Sequence, residues 1–452
     1  MSEHSTPKDL AFAVYSALSK KKSRPKRIVL DELFETMYFA SLKTEEFELS
    51  SFDVVYLNPK APDPHPPQRI LANRFKFIPF ANPIDLTISN LIKLTKASDP
   101  RTSSLVVYPE VEAQLVIWGL VDQSNAHYDF INRESTQGPE RPGIFQATIM
   151  GPGHLVAWLR REKIAELKVD TLITKDLDVF SDGPIREILN QGIFRHLQTV
   201  RKSVGDKIYD NRWHNDISLT QRWLGTICRL LLRIQNYHHG GALLITPDHT
   251  MKGLNIKYRL KYDRLRTALE RLGSSVIQNT LASDQIFEYM DDDSDTVPMD
   301  LYLDETVSKA EIEDIEQEVA NAIWFISLLS KVDGLVLIDS DFVIQGFGAE
   351  IMVNEEPMDI RLARTRFATS ASRMKGLDYR HYGTRHRSMM RYCNTVPGSL
   401  GFVVSQDGDV RAMTKMESAL VVWDSIKLQR PEFMRRVRQR SARKRTKAPR
   451  LV

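Results

Sequence analysis

Apolar residues recur along this chain at two spacings, and each spacing predicts a different element. Leu30, Leu33, Phe34, Met37 and Tyr38 follow the three-and-four step of a helix within residues 29–49, interrupted near Lys43-Thr44-Glu45-Glu46. Trp223, Ile227, Leu230, Leu231 and Ile234 mark one face of a second helix over 219–237, which His239-Gly240-Gly241 ends. Ser308 and Glu311 form a capping box that opens a third, with Ile312, Ile315, Val319, Ile323 and Ile326 running to about Leu329. Residues 258–272 read as a further amphipathic helix, 185–217 as a charged helical connector, and 154–167, after the Gly151-Pro152-Gly153 turn, as a helix or a strand followed by a helix. Trp118, Trp223 and Trp324 sit in apolar runs and are expected in the core.

Short unbroken apolar runs predict strands covered on both faces. They occupy 104–108 and 113–119, joined at Pro109-Glu110, and 242–246, closed by Pro247. Residues 334–338 and 342–344 form a hairpin turned by Asp339-Ser340-Asp341, and 400–404 and 410–413 flank the hairpin signal Asp407-Gly408. A Pro-rich stretch, 59–67, breaks the chain earlier. The resulting fold class is α/β: an N-terminal α+β domain over 1–175, a helical connector over 176–218, a mixed sheet flanked by helices over 219–430 and a basic tail over 431–452.

A chain of 452 residues, 42% hydrophobic and 27% charged, is globular rather than disordered and long enough for more than one domain. The formal charge of +4 misleads, because residues 435–450 hold nine bases and no acid, which leaves 53 bases against 58 acids elsewhere. The body is acidic and the tail basic, so an acidic partner or a nucleic acid is expected only at the tail. Two distant cysteines, Cys228 and Cys393, make neither a disulfide framework nor a thiolate metal cluster and suit a reducing cytoplasm. No apolar run approaches the roughly 18 residues of a membrane helix, and no secretory signal is expected.

Several polar groups read as ordinary structure. The cluster from Lys20 to Arg27 is a solvated linker, and the acidic run 291–295 lacks the alternation, central Gly and terminal Glu of a calcium loop. His238 and His239 are adjacent and point apart, which disfavours joint metal ligation. Phe347, between Gly346 and Gly348, is a strand bend, and Cys393 is structural.

Two groups carry chemistry. Gly383-Thr384-Arg385-His386-Arg387-Ser388 opens a predicted helix, where free backbone N–H groups, a hydroxyl and two planar guanidinium groups suit phosphate oxygens. Asp333-Gly334 stands at a strand start, where a carboxylate can hold a divalent cation while the glycine leaves room for a nucleotide.

In this order, about fifty residues apart, the two groups resemble the diadenylate cyclase catalytic domain. Its Asp-Gly-Ala, Gly-Thr-Arg-His-Arg and Ser-Glu-Glu motifs read here as Asp333-Gly334-Leu335, Gly383-Thr384-Arg385-His386-Arg387 and Ser405-Gln406-Asp407. The run from Tyr237 to Ile245 is similar to the family's helix-to-strand junction, and the likeness spans about 220–415 with an insertion around 273–305. The stretches from Leu33 to Glu46 and from Leu115 to Leu120 resemble the presumed sensor region DACNV, which precedes such domains in soluble relatives.

The resemblance implies condensation of two ATP into cyclic di-AMP and two pyrophosphates. It implies Mg²⁺ or Mn²⁺ on Asp333, phosphates held by Thr384, Arg385, His386 and Arg387 beside Gly383 and Ser388, and Gly334 and Ile351 against the nucleotide. It further implies a homodimer or higher oligomer with facing sites. The chain departs from the pattern at Val332, Leu335 and Gln406, where the family has His, Ala and a carboxylate. Two other classes of function are thereby kept in view: a non-catalytic nucleotide sensor, and a nucleic-acid-binding regulator acting through the tail.

Overall fold

The computed structural model describes residues 4–19, 23–45, 48–49, 52–60, 75–99, 102–111, 114–123, 141–160, 162–174, 176–210, 215–237, 239–247, 251–291, 298–367, 374–406 and 408–428. The chain divides into two compact units, Met1–Asp176 and Leu177–Val452. The acidic run beyond Asp291, His238, Asp407 and the basic tail lie outside the described residues. Among the described residues no helix is long and apolar enough to cross a membrane.

The first unit begins with helices α1 (Pro7–Ala17) and α2 (Arg27–Ser41) and a two-stranded ribbon of β1 (Thr44–Glu45) and β2 (Glu48–Leu49). There follow β3 (Phe52–Tyr56), β4 (Lys76–Asp85), α3 (Ile88–Thr95), β5 (Ser103–Pro109), β6 (Leu115–Asp122), β7 (Phe145–Gly151), β8 (His154–Leu159), β9 (Glu162–Lys168) and β10 (Thr171–Ile173). Eight of these strands form one mixed sheet in the order β10-β9-β8-β7-β3-β5-β6-β4, with only β3 and β5 parallel. Alternation fixes the faces: Phe52, Val54, Phe145 and Ala147 pack with Leu30, Phe34 and Met37 of α2, while Val55 packs with Val106 and Val121 on the far side. Residues 154–159 and 162–168 pair as a β-hairpin, and not as the expected helix or strand followed by a helix, because Leu155 and Ala157 alternate into the core and Arg160, at φ 57°, turns the chain.

The second unit runs α4 (Pro184–Val204), α5 (Asp206–Asp210), α6 (Asn215–Gln235), β11 (Gly241–Ile245), β12 (Leu254–Tyr262), α7 (Arg264–Asp291), α8 (Met299–Leu329), β13 (Leu335–Ile338) and β14 (Ile344–Ile351). It ends with β15 (Ile360–Ala363), β16 (Met374–Gly376), α9 (Thr384–Thr395), β17 (Leu400–Val404), β18 (Val410–Met416) and β19 (Ala419–Trp423). Nine strands make a mixed sheet in the order β12-β14-β13-β11-β17-β18-β19-β15-β16. Leu243, Ile245, Val336 and Ile338 face a core built with Leu189, Ile193, Trp223, Ile227 and Ile323. Ala242, Leu244, Leu335 and Leu337 face Met389, Met390, Tyr392 and Cys393 of α9. The helices of residues 185–217, expected as a connector, thus contribute Ile185, Leu189 and Ile193 to this unit's core.

Three expectations change here. Tyr258 to Tyr262 belong to edge strand β12, paired with β14, and the helix begins only at Arg264. Ser308 lies inside α8, its hydroxyl donating to the Glu305 carbonyl, because α7 and α8 pair antiparallel through Asn279 with Ser308 and Arg271 with Glu318. The expected insertion at 273–305 falls within this helical pair. Trp223 is buried, but Trp324 is half exposed under the Arg233 guanidinium, 4.7 Å from its ring.

Candidate functional site

The strand order gathers the sequence motifs at one edge of the second sheet. The β11–β13 ladder pairs Leu243 with Val336, so three residues back Gly240 stands level with Asp333. The β11–β17 ladder pairs Gly241 with Val404, which sets Gly240 level with Ser405 on the other side. Gly240 has φ +72°, and a Cβ there would lie 2.9 Å from Arg385 Nη1 and 3.1 Å from the Val404 carbonyl oxygen. The glycine therefore leaves the gap that the Arg385 guanidinium fills. A residue from α9, 145 positions downstream in the numbering, meets the helix-to-strand junction and the end of β17 in one place.

At the start of α9 the N-cap is Gly383, which has no side chain with which to cap the first-turn N–H groups. Thr384 is exposed, and Arg385, Arg387 and Ser388 are half-buried. Arg387 Nε is buried and without a hydrogen-bond partner among the described residues. His386 turns inward: it is buried, and Arg411 Nη1 lies 3.2 Å from its Nε2. A guanidinium only donates, so Nε2 accepts and the ring proton sits on Nδ1. Burial, reinforced by Arg411 and Arg385, lowers the His386 pKa to about 4, so the imidazole is neutral near pH 7. Arg411 also pairs with Asp424 at 3.1 Å and Asp409 at 3.4 Å and covers the Tyr382 ring at 5.2 Å. His386 thus fastens α9 to β18, and the charge facing outward comes from its neighbours.

Asp333 is exposed at the head of β13. Gly334 has φ +114°, and a Cβ there would stand 2.6 Å from the Gly348 carbonyl carbon, so β14 closes directly over it. Continuing the Leu335–Ala349 register puts Ile351 level with Asp333, with its side chain partly buried against the α9-side core. Leu335, the departure after Gly334, is 4% exposed within that same core and so does not project into open space. Among the described residues no group of three or more His, Cys, Asp or Glu is arranged to hold a metal ion. A lone carboxylate does not make a protein-built cage and fits only an ion that brings most of its own ligands, the usual habit of Mg²⁺.

The first unit holds a polar cluster that sequence reading missed. Asp53, fully buried in β3, accepts from Gln146 Nε2 at 2.5 Å and from Arg141 Nη1 at 3.2 Å, and the same amide nitrogen donates to Ser104 Oγ at 2.8 Å. The Arg141 guanidinium lies 4.4 Å from the Trp158 ring centroid, and Trp158 donates to Thr148 Oγ1. Burial raises the Asp53 pKa to about 6, against the pull of Arg141. The signal in the sequence was an Asp inside the apolar run Phe52-Asp53-Val54-Val55-Tyr56.

Residues 19–122 match the family model described as Probable sensor domain DACNV. The first unit therefore contains a sensor-type region. The match ends before the second unit begins. No curated protein matches the chain.

Proposed function

We propose that the second unit is a nucleotidyltransferase of the diadenylate-cyclase type, which joins two ATP into cyclic di-AMP with release of two pyrophosphates under control of the sensor-type region. One observation carries this reading: Arg385 fills the gap over Gly240, one strand from Asp333 and beside the Ser405 strand end. Permanently charged donors and the first turn of α9 then face the same edge as an exposed carboxylate.

At such an edge catalysis rests on positioning and charge neutralisation. Arg385, Arg387 and the N–H groups of α9 hold the triphosphate, and the 3′-hydroxyl oxygen of a second ATP attacks the α-phosphorus in line. The new oxygen–phosphorus bond forms as the bond to the β-phosphate oxygen breaks, pyrophosphate leaves with that electron pair, and the hydroxyl proton passes to Asp333. A divalent ion held from the protein side by Asp333 would supply charge neutralisation on the triphosphate. One edge serves one ATP, so a two-fold product requires two protomers to face each other.

A second reading rests on Gln406, which reduces the family's acidic pair after Ser405 to the single carboxylate of Asp407. In that reading the edge binds a nucleotide without turning it over. Incubation of the full chain with ATP and Mn²⁺ or Mg²⁺, followed by mass analysis, separates the two. A cyclic dinucleotide that disappears in Asp333→Asn supports the cyclase, whereas bound but unchanged ATP with either metal sinks it in favour of the sensor.

A further inference from the structure

The helical face of the second unit carries a trough that the nucleotide edge does not use. An open cavity of about 580 Å³ lies between α4, α7 and α8. A smaller one of about 180 Å³ lies beneath His196, Trp223 and the turn at Asp341 and Phe342. Thr199 and Glu270 line both, so the two adjoin, and the larger alone has the size of a small-molecule site. Asp341 and Phe342 follow the far end of β13, the strand that starts after Asp333.

Two buried polar side chains in its walls have no partner. His196 is 8% exposed and Ser275 is 7% exposed, and neither makes a hydrogen bond to a described residue. Their polar atoms are not sealed in the protein but open onto the trough. An imidazole and a hydroxyl left unpartnered at this depth are costly unless a ligand or water completes them. Burial lowers the His196 pKa to about 4, so the ring is neutral near pH 7 and keeps one nitrogen lone pair as an acceptor.

Charge decides the class of ligand. The lining arginines are already engaged: Arg195 with Asp341 at 2.7 Å, Arg266 with Asp263 at 3.2 Å and Arg271 with Glu318 at 2.9 Å. Glu270, Glu311 and Asp314 line the trough and form no salt bridge among the described residues. Burial pushes the Glu270 carboxyl up despite the attraction of Arg266. Acceptors and carboxylates outside any salt bridge among the described residues thus run from His196 and Glu270 at one end to Glu311 and Asp314 at the other.

We propose that this trough binds a small aliphatic amine carrying two or more ammonium groups. An ammonium offers three donors and no acceptor, which complements carboxylates and a neutral imidazole, while each arginine of the lining is already paired with a carboxylate. One cationic end meets Glu270 and His196, the other Glu311 and Asp314, and Thr199 and Ser275 lie between them.

Isothermal titration of the full chain with spermidine and with 1,4-diaminobutane, at physiological salt, tests this. Saturable binding of one amine per chain is expected, weakened about tenfold or more in both Glu270→Gln and His196→Phe, while Glu313→Gln, outside the trough, leaves it unchanged. Inorganic phosphate should give no binding heat. Circular dichroism checks folding, and if His196→Phe does not fold, Ser275→Ala joins Glu270→Gln as the deciding pair. No saturable binding, or equal affinity in Glu270→Gln and the wild-type chain, would overturn the proposal.

Discussion

Arg385 Nη1 lies 2.9 Å from the point that a β-carbon on Gly240 would occupy, so a guanidinium and a side-chain-free backbone share one gap at the head of β11. Any side chain at 240 competes with Arg385 and must also adopt φ +72°. Gly240→Ala is expected to lose about 1–2 kcal/mol of stability from the left-handed backbone alone. It should also weaken ATP binding by displacing Arg385. Chemical denaturation and nucleotide titration read the two effects separately, and a variant with wild-type ATP affinity would show that Arg385 does not need the gap.

The contact between Arg411 and His386 fastens the start of α9 to β18. His386→Ala removes the acceptor and leaves a half-buried guanidinium short of one partner, an expected loss of about 1–3 kcal/mol. His386→Gln keeps an acceptor and should recover part of it. If His386 instead contacted phosphate directly, both variants would retain stability and lose ATP affinity alike.

In the first unit, Arg141→Ala strands the fully buried Asp53 carboxylate. Breaking either side of a buried pair costs about 3–5 kcal/mol, so Arg141→Ala and Asp53→Asn should each destabilise strongly, and the double variant should lose less than the sum of the two. Denaturant melts of the full chain compare the three variants; strictly additive losses would mean that the pair contributes through packing and not charge.

Acid should act on the two units in opposite directions. The folded-state pKa values of His196 and His386 are about 4 against 6.5 for the free side chain, so their contribution is present above 6.5 and lost as pH falls towards 4. Asp53 is raised from 3.8 to about 6, so its contribution is present below 3.8 and lost as pH rises through 6. Thermal melts between pH 4 and 7 should show the helical second unit weakening on acidification, and His196→Phe should flatten that dependence. A wild-type slope in this variant would contradict the assignment.

The elements that could be read from the sequence are those with both faces buried. Residues 242–246 and 400–404 announce themselves as apolar runs because β11 and β17 lie between two cores. Edge strand β12 carries a different signal, the strict alternation of Asn255, Lys257, Arg259 and Lys261 with Ile256, Tyr258, Leu260 and Tyr262, which runs straight into the helix from Arg264 and reads as part of it. At Ser308 a local capping signal was overridden by tertiary pairing with Asn279. Asp53 and Gln146 stand 93 positions apart, so their contact left no local trace beyond one Asp in an apolar strand. The Arg385–Gly240 contact was foreshadowed only by the family resemblance, because spacing carries no information on which helix start meets which strand end.

The claim at the centre of this account is that the edge around Gly240 receives a nucleoside triphosphate through Arg385. Titration of ATP into wild-type and Arg385→Ala chains, with folding checked by circular dichroism, tests it most directly. The account predicts an affinity loss of about tenfold or more in Arg385→Ala, the scale of a charge-assisted contact. Equal ATP affinity in the two folded chains would contradict it.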